Sequence, residues 1–249
     1  MKSTWLCRVV CFCALLGLPV HAGVGHAAES MVFNTADDPP NATADHRGLV
    51  DLVMIEAFRR LAIPLTISYL PAERAMLNAD AGIDDGSYSR VEGLEAIYPH
   101  LIRVPEPVTT FEFVAFGKGP DFRTDGWESL RPYNVGIITG WKILEKNIRE
   151  TKSLTKVSSA AALFSLLERE RADLVVYDRL QGMVLLRELA FDNIRILAPP
   201  LAVRKMYPYL HEKHASLVPE LAATLREMKR DGTYKAIMDR VLQDFSIRQ

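Results

Sequence analysis

The amino-acid sequence predicts an α/β protein built from two lobes. Segments with the composition of strands alternate with segments of helical spacing along nearly the whole chain, an order typical of parallel sheets covered by helices. Two turn-rich connections, near 117–126 and near 198–206, bracket one such unit inside another. A chain of 249 residues, 49% of them hydrophobic, is long enough to bury two modest cores.

Charge and cysteine content exclude several classes of protein. The chain has 30 Lys+Arg and 31 Asp+Glu, for a formal net charge of −1, which argues against a nucleic-acid-binding domain with a large basic excess. The three cysteines are Cys7, Cys11 and Cys13. The rest of the chain therefore has no disulfide framework, no cysteine-ligated zinc site and no cysteine nucleophile. We expect no nucleic-acid partner, no metal and no cofactor.

The N-terminus has the layout of a secretory signal peptide. Lys2 and Arg8 supply positive charge, and the apolar run 9–18 is shorter than the roughly 20 residues that span a bilayer. Small residues at plausible cleavage positions follow, up to Ala27. We expect a cleaved signal peptide over 1–27 and export to the periplasm; an uncleaved membrane anchor is the less favoured alternative.

The first predicted unit begins with a strand and a helix of clear periodicity. Apolar side chains recur at helical spacing between 50 and 61, and the short helix after Pro71 has a proline at its entry. A turn-rich stretch over 82–87 precedes an aromatic and β-branched strand. Strands are predicted over 31–35, 65–70 and 111–116, and helices over 50–61 and 73–79.

The second predicted unit starts near Trp127, and the chain then ends in helices. Ser158 or Ser159 is expected to cap a helix, and Asp231-Gly232 separates the last two helices. Strands are predicted over 135–138, 173–177 and 194–197, and helices over 141–149, 158–167, 180–189, 217–228 and 234–241. The predicted division is a first lobe of 28–116 and 203–249 with a second lobe of 117–202 inserted into it.

The order of several short motifs carries a family resemblance. Gly82-Ile83-Asp84 precedes Arg90 and Tyr98-Pro99; Val135 to Gly140 opens the second unit; Arg171-Ala172-Asp173 precedes Asp178. In this order the sequence resembles the bacterial extracellular solute-binding proteins of the amino-acid-binding type, family 3. The resemblance implies a type II periplasmic binding fold whose two lobes close on a small-molecule ligand by a hinge. It also implies a monomer that delivers its ligand to a membrane permease of an ABC transporter or to a sensor kinase domain.

The resemblance assigns roles to two charged residues. Arg90 matches the first-lobe arginine that binds the ligand carboxylate, and a guanidinium suits this because it can form two parallel charge-assisted bonds. The alternative is an arginine that is solvated or paired with Glu92. Asp178 matches the second-lobe aspartate that binds the ligand ammonium. The alternative for Asp178 is an N-cap of the helix that begins near Leu180.

Further candidate ligand residues lie in two short segments. The turn Thr139-Gly140-Trp141-Lys142 opens a helix after a strand, so its free N–H groups are expected to receive an anion. Relatives usually have Ser or Thr after this glycine; here Trp141 is a candidate to stack on a ligand and Lys142 to contact an anion, unless Trp141 packs between the lobes and Lys142 is solvated. In the first lobe the candidates are Ser87, Tyr88, Ser89 and Arg74, the last with a salt bridge to Asp84 or Asp85 as the favoured alternative.

The loop after the first strand carries Asp37, Asp38 and His46. A metal site there is the weaker interpretation, and a solvated loop is the favoured one. For the whole chain a solute-binding protein without enzymatic activity is the first hypothesis. An enzyme on the same fold, for elimination on a cyclic carboxylic acid, would have to use His46, Glu73 or Asp178 as acid or base. A signalling module with a degenerate cleft is the third hypothesis.

Overall fold

The computed structural model of the chain describes residues 30–118 and 123–246. The predicted signal peptide lies outside the described residues. Within the described ranges, none of the helices combines the length and apolarity that crossing a membrane requires.

The described residues form ten strands and seven α-helices that alternate for most of the chain. The first part contains β1 (Met31–Thr35), α1 (Leu49–Arg60), β2 (Leu65–Tyr69), α2 (Ala72–Asp80), β3 (Gly86–Arg90) and β4 (Leu101–Arg103). The middle contains β5 (Thr109–Gly117), β6 (Asn134–Ile138), α3 (Lys142–Asn147), β7 (Ser153–Val157), α4 (Ala160–Glu168), β8 (Leu174–Asp178), α5 (Arg179–Glu188) and β9 (Arg195–Ile196). The last part contains β10 (Ala202–His211), α6 (Leu217–Arg230) and α7 (Thr233–Asp244).

The strands follow the order β2-β1-β3-β10-β5-β8-β6-β7, with β4 beside β10 and β9 beside β5. Parallel pairing occurs within each half, where β1 lies between β2 and β3 and where β6 lies between β7 and β8. The two halves are joined by antiparallel strands, because β10 pairs with β3 and β4 through its second part and with β5 through its first part. One long strand therefore passes from one half to the other.

Buried side chains form separate cores in the two halves. One core joins residues 31–108 to residues 210–241 and includes Phe33, Phe58 and Leu221. Two further clusters draw on 111–206 and include Phe113 and Phe116. We call 30–108 with 207–246 the first lobe, and 109–118 with 123–206 the second lobe. The predicted domain limits at 116 and 203 stay a prediction, and we propose crossings near 108 and 206.

The predicted fold class is confirmed, and so are most predicted elements. Ser159 caps α4, since its hydroxyl accepts a hydrogen bond from the Ala162 N–H at 3.3 Å. Four strands were not predicted: β3, β4, β7 and β10. The sequence of β10 contains Pro208, which cannot donate a ladder hydrogen bond, and the register of its pairing with β3 shifts between Tyr207 and Tyr209.

Candidate functional site

Two adjoining cavities lie between the lobes, near the carboxyl ends of β1, β2, β6 and β8. Ligands of open α/β sheets bind outside these strand ends. The acidic cavity, about 250 Å³, lies beside residues 36–38, 69–72 and 158–160 together with Ile138, Trp141 and Tyr177. The arginine cavity, about 40 Å³, includes Arg90, Ser89, Phe113 and Lys142 in its wall. Asp37 and Trp141 line both cavities, so together the two form one site.

Arg90 lies at the end of β3 and lines the arginine cavity. The residue is only 7% exposed, its Nε donates to Ser87 Oγ at 2.8 Å, and its Nη2 has no hydrogen-bond partner. Neither expected alternative is seen, because Arg90 is not solvated and Glu92 lies near Arg103 instead, with 3.7 Å between their closest charged atoms. A buried guanidinium nitrogen without a partner costs free energy, so Arg90 is positioned to receive an external acceptor.

The residues of β3 divide between supporting Arg90 and building the core. Ser87 orients the guanidinium through the bond to Nε. The side chain of Tyr88 projects to the opposite side of the strand, into the core of the first lobe, where its hydroxyl donates to Asp51 Oδ1 at 2.5 Å. The expectation that Tyr88 contacts the ligand is therefore corrected. Ser89 lines the arginine cavity with φ of 59°, in the left-handed region, a strained conformation of the kind that clusters at functional sites.

Asp37 is the buried carboxylate of the site. It is 5% exposed, and its Oδ2 has no hydrogen-bond partner. Burial raises the pKa of Asp37 well above its usual range, although Ser89 and Arg90 lie close enough to oppose the shift. No ion pair joins Asp37 to Arg90 among the described residues, although both line the arginine cavity. The favoured expectation of a solvated loop does not hold for Asp37, because this residue is buried.

Asp38 connects the two lobes. Its backbone N–H donates to Gln181 Oε1 at 2.7 Å, and its Oδ2 accepts a hydrogen bond from the hydroxyl of Tyr177. Burial raises the pKa of Asp38, and the Tyr177 hydroxyl opposes that shift. Because Asp38 follows β1 while Tyr177 and Gln181 belong to β8 and α5, these contacts join the two lobes.

Trp141 forms part of the wall of both cavities. Its ring stacks on Tyr177, with centroids 4.9 Å apart and planes 16° apart, and it meets Phe113 edge-on at 5.8 Å. These ring contacts lie within the second lobe, whereas the expected alternative was a tryptophan packed between the lobes. The same packing fixes the ring in place, which leaves a rigid aromatic surface toward the cavities.

Three of the four N–H groups in the turn before α3 already have acceptors within the chain. The N–H groups of Thr139, Gly140 and Trp141 donate to Val157 O at 2.8 Å, to Glu145 Oε1 at 3.2 Å and to Ile138 O at 3.3 Å. The expectation that these N–H groups receive an anion is corrected, because the chain already supplies their acceptors. Gly140 remains structurally important, since it has φ of +87° and a Cβ there would collide with the backbone of Glu73.

Lys142 is not solvated but spans the two lobes. Its Nζ lies 2.5 Å from Glu73 Oε2 on α2 and 3.2 Å from Glu145 Oε2 on its own helix. Burial opposes its charge, but these two carboxylates outweigh that effect and the pKa of Lys142 is raised. Lys142 also lines the arginine cavity, which gives that cavity a second positive group.

Asp178 is the N-cap of α5, which is the alternative role expected for it. Its Oδ2 accepts from the Gln181 N–H at 3.1 Å, which caps α5, and its Oδ1 accepts from the Glu112 N–H at 3.0 Å. Burial nevertheless raises the pKa of Asp178 to about 7, because desolvation outweighs both backbone donors. Asp178 is 1% exposed and lines neither cavity.

The remaining candidates lie outside the two cavities. Arg74 is exposed on α2, and the expected ion pair with Asp84 or Asp85 is absent from the described residues, since Asn34 binds Asp84 and Lys213 with His214 binds Asp85. His46 stacks on Tyr69 with ring centroids 6.0 Å apart. Within 30–118 and 123–246 no three His, Cys, Asp or Glu side chains are placed to hold a metal.

No ligand contact was predicted from the sequence for Asp37, Tyr69, Tyr177 or Gln181. The rule that ligands lie beyond the carboxyl ends of strands could have found Asp37, which comes two residues after β1. Tyr177 lies inside a hydrophobic strand, and Gln181 lies inside a helix, so no local pattern distinguishes either of them from core or surface residues.

We compared the sequence and the structure of the chain with those of known proteins. No protein-family model matches the chain. An uncharacterized protein from Shewanella oneidensis is 28% identical over 207 residues, which is 80% of this chain and 77% of that protein. The substrate-binding protein of an amino acid ABC transporter superposes with a TM-score of 0.72 at 16% identity, over 86% of this chain and 99% of that one. A histidine kinase sensor domain with similarity to periplasmic binding proteins gives 0.73 at 17% identity, over 86% and 96%. The chain therefore has the two-lobed fold of periplasmic-binding-protein-like domains.

Proposed function

We propose that this chain is a periplasmic solute-binding protein that encloses a small amino-acid-like zwitterion between its lobes. The observation that carries the proposal is a pair of buried, unpartnered charged atoms at one cavity, Arg90 Nη2 and Asp37 Oδ2. The ligand carboxylate binds the guanidinium of Arg90, and the ligand ammonium binds the carboxylate of Asp37. Each ligand group thereby satisfies a group that the protein leaves unsatisfied.

This assignment replaces Asp178 by Asp37 as the partner of the ligand ammonium. Both oxygens of Asp178 already accept backbone hydrogen bonds, whereas one oxygen of Asp37 has none. Asp178 then acts by capping α5, and α5 carries Gln181, which contacts the loop after β1. Ser87 orients Arg90, and Trp141 with Lys142 completes the wall of the cavity on the second lobe.

A binding role is better supported than a catalytic one. Of the three candidate acids or bases, Glu73 is ion-paired with Lys142, Asp178 caps a helix, and His46 packs against Tyr69. None of the three lines either cavity of the site. The protein would be exported and monomeric, and would present its closed form to a membrane permease or to a sensor kinase domain; the likeness to a transporter subunit and to a sensor domain supports both routes.

The proposal is tested by a thermal-shift screen of amino acids, organic acids and amines on the purified mature protein. At least one zwitterionic amino acid is expected to raise the melting temperature, because a ligand that binds only the folded state stabilises it. Arg90→Gln should weaken binding by on the order of 100-fold, since charge-assisted hydrogen bonds contribute about 1.5–3 kcal/mol. Arg47→Gln changes an exposed arginine of the same lobe and serves as the matched control. An unchanged melting temperature with every solute, or equal binding by both variants, would contradict the proposal.

A further inference from the structure

The acidic cavity has a chemistry opposite to that of the arginine cavity beside it. Its wall contains the carboxylates of Asp37 and Asp38 and no lysine, arginine or histidine among the described residues. Asp37 is 95% buried, and its unpartnered Oδ2 belongs to a residue in this wall. Burial raises the pKa of both carboxyl groups, and a positively charged occupant of this partly dehydrated cavity would stabilise their ionised forms.

Aromatic rings make up much of the remaining wall. Tyr69, Trp141 and Tyr177 all line the acidic cavity, and the stack of Trp141 on Tyr177 holds both rings in fixed positions. The faces of aromatic rings attract ammonium and guanidinium groups, and this attraction strengthens when the cation is desolvated. Carboxylates and aromatic rings therefore favour the same kind of ligand group.

The one feature of the wall that favours an anion is the N-terminus of α4 at residues 158–160. Part of that effect is already used, because the hydroxyl of Ser159 accepts the N–H of Ala162. Two carboxylates outweigh the partial charge that remains. The cavity also has room, at about 250 Å³, for a group that the arginine cavity of about 40 Å³ cannot hold.

We infer that the solute carries a second cationic group, an ammonium or guanidinium at the end of a short chain, and that this group occupies the acidic cavity against Asp38 and the rings of Tyr69, Trp141 and Tyr177. The inference rests on the proposed function and names its substrate class, a dibasic amino-acid-like solute. One carboxylate then serves each cation: Asp37 the ammonium near Arg90, and Asp38 the distal group. Closure of the lobes buries the distal group, because Asp38 contacts Tyr177 and Gln181 of the second lobe.

Calorimetric titration of the mature protein with three probes tests the inference without any variant. L-arginine carries a carboxylate, an ammonium and a distal guanidinium. L-citrulline has nearly the same shape but a neutral distal urea, and agmatine is L-arginine without its carboxylate. L-arginine should bind at least tenfold more tightly than L-citrulline. Equal affinities for L-arginine and L-citrulline would overturn the inference and leave the proposed function standing.

A pair of variants tests whether the distal cationic group of the ligand binds Asp38. Asp38→Asn should reduce the affinity for L-arginine by about tenfold or more relative to its effect on the affinity for L-citrulline, because loss of the contact with Tyr177 acts on both ligands alike. Asp45→Asn changes an exposed carboxylate of the same loop and should alter neither affinity; circular dichroism confirms that both variants fold. An equal loss for the two ligands, or a loss for neither, with Asp38→Asn would overturn the placement. If agmatine binds as tightly as L-arginine, the proposed contact of a carboxylate with Arg90 fails while the cation site stands.

Discussion

The ammonium of Lys142 lies 2.5 Å from a carboxylate oxygen of Glu73, and this ion pair joins the second lobe to the first. Together with the contacts of Asp38 to Tyr177 and Gln181, it links the lobes around the two cavities. If the lobes open and close as proposed, the energies of these contacts help to set the balance between the two states.

Removing the Lys142–Glu73 ion pair should favour the open form. Because both side chains are partly exposed, the pair is worth at most about 1 kcal/mol, so Lys142→Met should weaken solute binding by a few-fold, mainly through faster dissociation. Small-angle scattering should show a larger radius of gyration without ligand. Lys146→Met removes an exposed lysine of the same helix and should leave both measurements unchanged; an equal effect of the two substitutions would show that the ion pair has no part in closure.

Gly140→Ala should block closure by collision. Gly140 has φ of +87°, and an added Cβ would meet the backbone of Glu73 on the other lobe, whereas Gly93 has φ of +83° with nothing near its Cβ position. Both Gly→Ala substitutions force a side chain into the left-handed region, at about 1–2 kcal/mol. Both should therefore lower the melting temperature, but only Gly140→Ala should abolish solute binding in a calorimetric titration. Retained affinity in Gly140→Ala would exclude this close approach from the bound form.

Stability should fall as pH rises from about 4 to about 7. Burial raises the pKa of Asp178 from 3.8 in the unfolded chain to about 7 in the folded protein, so in this interval the folded state holds a proton that the unfolded state has lost. The folded state is then favoured at low pH, and the advantage disappears as pH rises through 7. At about 1.4 kcal/mol per pKa unit, the effect is on the order of a few kcal/mol. Urea denaturation at several pH values measures it, and Asp178→Asn should flatten the profile. An unchanged profile in the variant would assign the dependence to another group.

Tyr88→Phe should destabilise the protein without changing ligand affinity. The Tyr88 hydroxyl donates to Asp51 Oδ1 inside the core of the first lobe, and loss of a hydrogen bond to a buried carboxylate costs about 1–3 kcal/mol. Chemical denaturation measures the loss, and titration with the best ligand of the wild type measures binding. Weaker binding at unchanged stability would show that Tyr88 contacts the ligand.

The sequence predicted the helices and strands whose buried residues recur at regular spacing. The helices over 49–60 and 217–230 and the strand over 174–178 bury continuous apolar faces, so hydrophobic spacing predicted them. It missed β3, whose residues Gly86 to Arg90 are all buried although the sequence predicted a turn over 82–87. That strand carries the polar residues Ser87, Ser89 and Arg90, so it lacks the apolar pattern by which a buried strand is predicted.

The ligand-binding role of Arg90 stays a prediction, and the aspartate proposed to bind the ligand ammonium changes from Asp178 to Asp37. Arg90 stands at a position that the family resemblance marks, and the structure places it in a cavity with a free nitrogen. Asp37 and Asp178 are both aspartates just past buried strands, and only their hydrogen bonds separate them: Asp178 accepts two backbone N–H groups, whereas Asp37 keeps a free oxygen. That difference depends on contacts with distant strands, which short-range sequence patterns do not encode.

A crystal structure of the complex with the amino acid that most stabilises the mature protein tests the central claim most directly. The account predicts a ligand carboxylate within hydrogen-bond distance of Arg90 Nη2 and a ligand ammonium within hydrogen-bond distance of Asp37 Oδ2, with both lobes in contact with the ligand. A ligand bound away from Arg90 and Asp37, or one whose ammonium lies on Asp178 instead, would contradict it.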